Sequence, residues 1–135
     1  MKSVLIKSGC IVTASDQFQG DILIQEGKIA AIGRDLKVPV DETIAATGKY
    51  IFPGGIDAHI HMEVSCSDGS ISAGYDTDSI AAAVGGTTTI LDYVLQEHEL
   101  SLVESVSRWL EKARQSAIDY GFHLIITRPD DKTFN

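Results

Sequence analysis

The hydrophobic pattern of the chain changes near residue 50, and this change limits the possible folds more than any other feature. Before it, short β-branched runs alternate with glycine turns such as Glu26-Gly27, which is typical of antiparallel strands. After it, apolar runs alternate with segments of helical length, which indicates βα units and a parallel sheet. The sequence therefore predicts a β module at residues 1–50 and a βα part at residues 51–135.

The strands can be placed approximately from these patterns. In the β module they are predicted at residues 4–7, 11–14, 21–25 and 28–32. In the βα part, the first strand leads from Tyr50 through a proline-glycine turn to His61. The second and third are predicted at residues 87–95 and 122–127.

Two helices lie between the strands of the βα part. The first is predicted at residues 76–84, with Asp76 as its cap and Gly85-Gly86 as its stop. The second runs from Ser101 to about residue 119, opens with a capping box and ends at Gly121. Its apolar stripe, which includes Trp109, is expected to pack on the sheet.

The charge balance excludes some partners. Eleven Lys and Arg stand against nineteen Asp and Glu, a net charge of −8 without a basic cluster, which argues against nucleic acid and anionic membranes. No apolar run approaches the roughly 18 residues that span a bilayer, and no signal peptide is recognisable, so a cytoplasmic location is expected. Cys10 and Cys66 are far apart and are expected to be reduced thiols.

His59 and His61 are the strongest candidates for chemistry. Two residues apart on a strand, their side chains leave the same face and can reach one metal ion. They also lie at the carboxyl end of the first βα strand, where α/β sheets and barrels build their sites. Two imidazoles leave coordination positions open, as catalytic metal sites require. The pair therefore predicts a catalytic metal site.

Four other polar residues have weaker signals. Asp57 and Asp92 could support a metal ligand from outside the first coordination shell, although a strand-end or buried hydrogen-bonding role fits them equally well. His123 is predicted at the amino-terminal end of the third strand and therefore as structural. His98, between two glutamates, is predicted as a solvated loop residue.

Three runs in register along the chain resemble the cyclic amidohydrolases of the dihydropyrimidinase and hydantoinase family. They are Pro-Gly-Gly-Ile-Asp-Ala-His-Ile-His at 53–61, Gly-Gly-Thr-Thr-Thr-Ile-Leu-Asp at 85–92 and Ile-Asp-Tyr-Gly-Phe-His at 118–123. The resemblance extends over the β module and so covers essentially the whole chain. It implies an α/β fold, the amino-terminal part of a (β/α)8 metal-dependent hydrolase barrel preceded by a small β-sandwich module. Since such a barrel takes about 250 residues, it is incomplete in this chain.

The resemblance also implies a function. His59 and His61 match the first two metal ligands of a site that usually holds two zinc ions. Enzymes of this family open the ring of a small cyclic ureide or amide by metal-assisted hydrolysis and release an N-carbamoyl amino acid. The carboxylated lysine, further histidines and catalytic aspartate of that site have no counterpart within these 135 residues, so the isolated chain is expected to be inactive. The resemblance also suggests a homotetramer.

The loop after His61 departs from the family pattern. It matches the region that lines the substrate pocket in hydantoinases, but the usual Pro-Phe-Gly-Gly run is absent, so a polar or unsubstituted ring is favoured over a bulky aromatic one. The Arg-Glu-Pro-Gly run of dihydroorotases is absent too. The candidate substrate-loop residues are Met62, Glu63, Val64, Ser65 and Cys66.

The sequence thus predicts a zinc-dependent cyclic amidohydrolase that acts on dihydropyrimidine or hydantoin-type rings. Two alternatives stay open. One is a non-catalytic scaffold resembling the collapsin-response mediators, which lack the metal histidines, so the presence of His59 and His61 argues against it. The other is an inactive truncated fragment with uncovered sheet edges that acts, if at all, through interactions.

Overall fold

The computed structural model describes residues 2–64, 69, 71–98 and 100–128. The chain divides into two compact units, Met1–Pro53 and Gly54–Asn135. Within the described residues, none of the helices is both long and apolar enough to cross a membrane.

The first unit is a single five-stranded sheet. Strands β1, β2 and β3 form an antiparallel meander, as the sequence predicts, and β4 and β5 then pair with β1 in parallel. The turn between β2 and β3 consists of Glu26 and Gly27 with φ values of 52° and 74°, and this left-handed pair matches the twist of a two-residue hairpin. The strands are β1 Val4–Val12, β2 Gln17–Gln25, β3 Lys28–Gly33, β4 Glu42–Ala45 and β5 Tyr50–Ile51.

Two sequence predictions about this unit were wrong. The two short strands predicted at 4–7 and 11–14 are one strand, β1, because Ser8 at φ 60° forms a bulge that interrupts the pairing without ending the strand. Tyr50 and Ile51 do not lead into the first βα strand but pair with Cys10 and Ile11 of β1. Apolar character alone does not tell which sheet a short run will join.

Asp21 ties the β module together from its interior. It is only 3% exposed, and its carboxylate accepts the backbone N–H groups of Ser8 at 2.8 Å and Leu36 at 2.9 Å, with Lys7 Nζ at 4.0 Å. The hydrogen bond from Ser8 contributes most to a lowered pKa of Asp21, partly opposed by burial and assisted by Leu36 and Lys7. The carboxylate thus closes the bulge of β1 and the loop after β3.

Replacing Asp21 by alanine is therefore expected to destabilise the β module by about 1–3 kcal/mol, because two backbone donors lose their acceptor. Since the pKa is lowered on folding, this stabilisation is present above the ordinary value of 3.8 and is lost as the pH falls through the folded value. Urea unfolding across the acid range measures both effects. Asp16→Ala, at an exposed position, is the control, and equal stability of the two variants would refute the assignment.

The second unit is a parallel three-stranded sheet in the order β6-β7-β8 with a helix in each connection. Strand β7 has the predicted bounds, and the capping box of α2 is confirmed, with Glu104 N–H donating to Ser101 Oγ at 3.2 Å and Ser101 N–H donating to Glu104 Oε2 at 2.8 Å. The elements are β6 Gly55–Ile60, α1 Tyr75–Val84, β7 Thr87–Leu95, α2 Leu102–Ala113 and β8 Asp119–Ile125.

The helix ends differ from the sequence predictions. Helix α1 starts one residue early and is capped by Gly74 without a side-chain bond, so Asp76 lies in the first turn instead of at the cap. Gly86, at φ 94°, follows its end as predicted. Helix α2 stops at Ala113, because the Ala117 N–H farther along donates to Ser79 Oγ of α1 at 2.9 Å.

Strand β8 consequently begins earlier than predicted and includes Gly121, which does not end the helix. A Cβ at Gly121 would lie 2.8 Å from Leu91 Cδ2 of the neighbouring strand, so the glycine makes room for that side chain. The core of this unit lies between the sheet and the helices. Its members are Met62, Tyr75, Ile90 and Ala113, with Ile60, Ile118, Tyr120 and Phe122 packed against them.

Candidate metal site at the carboxyl end of the sheet

The two faces of the β6-β7-β8 sheet have different roles. Ile60, Ile90 and Phe122 belong to the core on the helix side. Because side chains alternate along a strand, His59, Tyr93 and His123 lie on the opposite face. The register places Tyr93 directly beside His123, and the Tyr93 ring contacts His59. The polar residues of three strands therefore meet on one face.

His59 and His61 are adjacent on this face, as predicted. Their ring centroids are 5.2 Å apart with the planes at 79°, and both side chains are exposed. Within the described ranges, no group of three His, Cys, Asp or Glu side chains is placed to hold a metal ion. Two exposed imidazoles on one face fit a metal ion that takes its other ligands from elsewhere.

Tyr93 is the central residue of the cluster, and it was not predicted from the sequence as a site residue. Its ring lies 4.6 Å from that of His59, 5.2 Å from that of His61 and 4.9 Å from that of His123, between centroids. Its hydroxyl oxygen is 3.3 Å from His59 Nδ1. A hydrogen bond at Nδ1 leaves Nε2 of His59 as the nitrogen available to a metal. The signal available in the sequence was the position of Tyr93 near the end of the second predicted strand.

The predicted position of His123 was wrong. It is the fifth residue of β8 and not the first, because that strand begins at Asp119. Its Nε2 lies 3.2 Å from the carbonyl oxygen of Ala58 in β6, so it belongs to the polar face around His59. His98, in contrast, is exposed in a turn after β7, as predicted.

The structure separates the two aspartates. Asp57 Oδ1 accepts the backbone N–H of His59 at 3.1 Å, which is the strand-end role. Asp92 is 1% exposed on the helix side, where it accepts the hydroxyl of Tyr75 and, at 2.7 Å, the backbone N–H of Tyr93. Asp92 thus bonds Tyr75 and the backbone, which is the buried hydrogen-bonding role, and it lies on the face opposite His59.

Tyr75 is fully buried against this carboxyl group. Burial contributes most to raising the pKa of Tyr75 well above its ordinary value of 10.0, and the hydrogen bond and charge of Asp92 add to it. The phenol therefore stays protonated and donates to Asp92. The pair joins α1 to β7 beneath the residues that face the site.

A cavity of about 450 Å³ opens beside His61. His61, Glu63 and Tyr93 provide its polar groups, while its apolar wall includes Leu95, Trp109 and Ile125. A cavity of this size and mixed lining is typical of small-molecule sites. Trp109, which belongs to the predicted apolar stripe of the second helix, lines this cavity.

The predicted substrate loop is only partly described. Glu63 and Val64 line the cavity, whereas Met62 is 6% exposed in the core on the helix side and does not face it. Met62 lies beyond the end of β6 and packs with Tyr75 and Ile90. Ser65 and Cys66 lie outside the described residues.

Glu63 is fixed by a cation from the second helix. Lys112 Nζ lies 3.0 Å from Glu63 Oε2 and 4.6 Å from the centroid of the Trp109 ring. One ammonium group thus contacts both the carboxylate and the aromatic wall of the cavity. The positive charge of Lys112 thus compensates the negative charge of the Glu63 carboxylate at the wall of the cavity.

The sequence pattern of the amidohydrolase family matches residues 50–133. The D-hydantoinase of Geobacillus stearothermophilus is 48% identical over 128 residues, which cover 94% of this chain and 27% of that protein. The dihydropyrimidinase of Arabidopsis thaliana is 36% identical over 129 residues, which cover 95% of this chain and 24% of that protein. The sequence resemblance to this group is confirmed.

Solved structures agree. The crystal structure of dihydropyrimidinase from Brevibacillus agri NCHU1002 matches with a TM-score of 0.90 and 43% identity over 97% of this chain and 29% of that one. The predicted fold class, the amino-terminal part of a (β/α)8 hydrolase barrel after a β module, is confirmed. This chain spans less than a third of the length of these relatives. From its match over residues 50–133 and this likeness in structure, the chain belongs to the amidohydrolase family.

Proposed function

We propose that the intact protein is a zinc-dependent cyclic amidohydrolase that opens dihydropyrimidine or hydantoin-type rings to N-carbamoyl amino acids. The observation that carries this proposal is the pair His59 and His61, side by side on the exposed face of β6 at its carboxyl end. The names of the relatives, D-hydantoinase and dihydropyrimidinase, supply the reaction class. The proposed domains are a partial β-sandwich module at residues 1–50 and the first three βα units of the barrel at residues 51–135.

The residues of this chain have distinct roles in the proposal. His59 and His61 would hold zinc, and the resemblance implies two ions per site. The other ligands, among them a carboxylated lysine, would come from parts of the intact protein outside these 135 residues. When bound, the metal supplies Lewis-acid polarisation of the ring carbonyl and lowers the pKa of water. Tyr93 orients the His59 ring through its hydroxyl, 3.3 Å from Nδ1.

The cavity beside His61 is the proposed place of the ring substituent. Leu95, Trp109 and Ile125 offer apolar contact, and the paired Glu63 offers a polar rim. The preference for a polar or unsubstituted ring over a bulky aromatic one stays a prediction, as do the homotetramer and the cytoplasmic location. Asp57 and Asp92 are proposed as structural supports of β6 and β7 and not as partners of a histidine ring.

The test is an assay of the intact protein with dihydrouracil, hydantoin and the two enantiomers of 5-phenylhydantoin. We expect ring opening to an N-carbamoyl product, loss of activity after chelation and recovery on addition of Zn²⁺. Native mass spectrometry of the same material reports subunit count and bound metal. A protein that binds no zinc and opens none of these rings would instead favour the non-catalytic scaffold.

A further inference from the structure

The peptide group that joins Ala58 to His59 is held by side chains at both of its polar atoms. Its N–H donates to Asp57 Oδ1 at 3.1 Å, and its carbonyl oxygen lies 3.2 Å from His123 Nε2. Because a carbonyl can only accept, Nε2 of His123 carries the proton and donates it. Ala58, which immediately precedes the candidate metal ligand His59, is thus held by a hydrogen bond from β8, a strand that is not adjacent to β6 in the sheet.

The pairing of β6 with β7 explains why this peptide needs such support. Asp57 pairs with Ile90 and Ile60 pairs with Asp92, with a register shift between them. Ala58 and His59 fall within this irregularity, where regular ladder bonds are interrupted. Backbone polar groups released from a ladder require other partners, and Asp57 and His123 are those partners.

His123 is itself held in a defined orientation. It pairs with Tyr93 in the β7–β8 ladder, and its ring packs on the Tyr93 ring at 4.9 Å with the planes at 35°. Neighbouring strands are about 4.8 Å apart, so β8 lies about 10 Å from β6 and the imidazole must extend over β7 to reach Ala58. The Tyr93 ring is the surface along which it does so, and the same ring contacts His59 and His61.

From this geometry we propose that His123 is a positioning residue of the metal site. It donates a hydrogen bond to the Ala58 carbonyl, fixes the plane of the Ala58–His59 peptide and thereby sets the direction in which the His59 side chain leaves β6. The inference rests on the proposed function to the extent that His59 binds a metal ion. It assigns to His123 a role within the site, although His123 itself is not a ligand.

The expected size of the effect follows from how ligands are oriented in metal sites. Removal of a residue that hydrogen-bonds to a metal-ligating histidine typically lowers metal affinity by about 10–100-fold. His123 acts on the backbone of His59 and not on its ring, and Tyr93 still contacts the ring. We therefore expect the lower end of that range, about tenfold.

The experiment compares three variants of the intact protein. His123→Phe removes the donor and keeps a ring against Tyr93, His123→Gln keeps a donor, and His98→Phe makes the matched change at an exposed turn. Zn²⁺ alone, in competition with a chelator, measures affinity, and amide hydrogen exchange in the metal-free protein reports on the His59 N–H. His123→Phe should bind Zn²⁺ about tenfold more weakly and exchange faster, His123→Gln should be intermediate, and His98→Phe should match the unmodified protein.

The outcomes distinguish this inference from the proposed function. If His123→Phe equals His98→Phe in zinc affinity, the positioning role is overturned, while tight zinc binding by the unmodified protein still supports the proposed function. If the unmodified protein binds no zinc, the proposed function fails in its metal part and the positioning role fails with it. Should His123→Phe not fold, nitrogen-15 NMR of the unmodified protein decides, since a proton found only on Nδ1 of His123 contradicts the hydrogen bond to Ala58.

Discussion

Replacing His59 by alanine in the intact protein is expected to abolish ring opening and to remove bound metal. The substitution deletes one of two adjacent imidazoles on the exposed end of β6, and the other, His61, cannot chelate alone. Loss of a residue that hydrogen-bonds to a metal ligand already lowers metal affinity or activity by about 10–100-fold. Loss of the ligand itself should therefore lower kcat/KM by more than about 100-fold. Steady-state kinetics and elemental analysis of the purified variant measure the two effects.

His98→Ala is the matched control, because His98 is an exposed histidine in a turn after β7. That variant should keep both activity and metal. The unfolding midpoint of His59→Ala in the metal-free state should be close to that of the unmodified protein, since the side chain is exposed. A His59→Ala protein that is active and carries its full metal would disprove the assignment of His59 as a ligand.

The largest effect on stability is expected at Tyr75, through its buried partner. Tyr75→Phe removes the hydroxyl that donates to Asp92, and both residues are almost completely inaccessible to water. A carboxyl group left without this donor loses a hydrogen bond of the stronger class, so the free energy of unfolding should fall by about 2–3 kcal/mol. The midpoint of urea unfolding measures it, and Tyr50→Phe, at a tyrosine that is 63% exposed, should leave the midpoint unchanged.

The same pair predicts a distinctive alkaline pH dependence. Folding raises the pKa of Tyr75, so above about pH 10 the unfolded chain releases this proton while the folded protein retains it. The contribution of Tyr75 is therefore complete below about pH 10 and is lost above it, by about 1.4 kcal/mol per pH unit. The gap in stability between the unmodified protein and Tyr75→Phe should shrink as the pH rises. A gap that stays constant up to about pH 11 would contradict a buried, protonated Tyr75.

Local sequence signals placed several elements correctly. The bounds of β7, the capping box of Ser101 and Glu104, and the Glu26-Gly27 turn all follow from interactions between residues a few positions apart. Element ends that depend on distant contacts were misplaced. Helix α2 stops early because Ala117 bonds Ser79, and Gly121 belongs to a strand because Leu91 occupies the space beside it.

The candidate site shows the same division. The spacing and strand-end position of His59 and His61 were sufficient to predict that both lie on one face, because a strand's own alternation determines it. His123 could not be joined to them from the sequence, because its place depends on where β8 begins and how it pairs with β7. Tyr93 was within the correctly predicted β7, but its contact with His59 depends on how β7 pairs with β6. One misplaced strand start moved His123 to the wrong end of the sheet.

The sequence by itself thus determined the fold class, the family and the two candidate metal ligands, because periodicity and motifs depend only on residues that are close together in the sequence. Only the tertiary structure decided that Met62 is core, that Asp92 supports Tyr75, and that His123 reaches Ala58 across β7. The physical reason is register. Pairing between strands far apart in sequence is set by the packing of the whole sheet, and a shift of one residue turns every side chain to the opposite face.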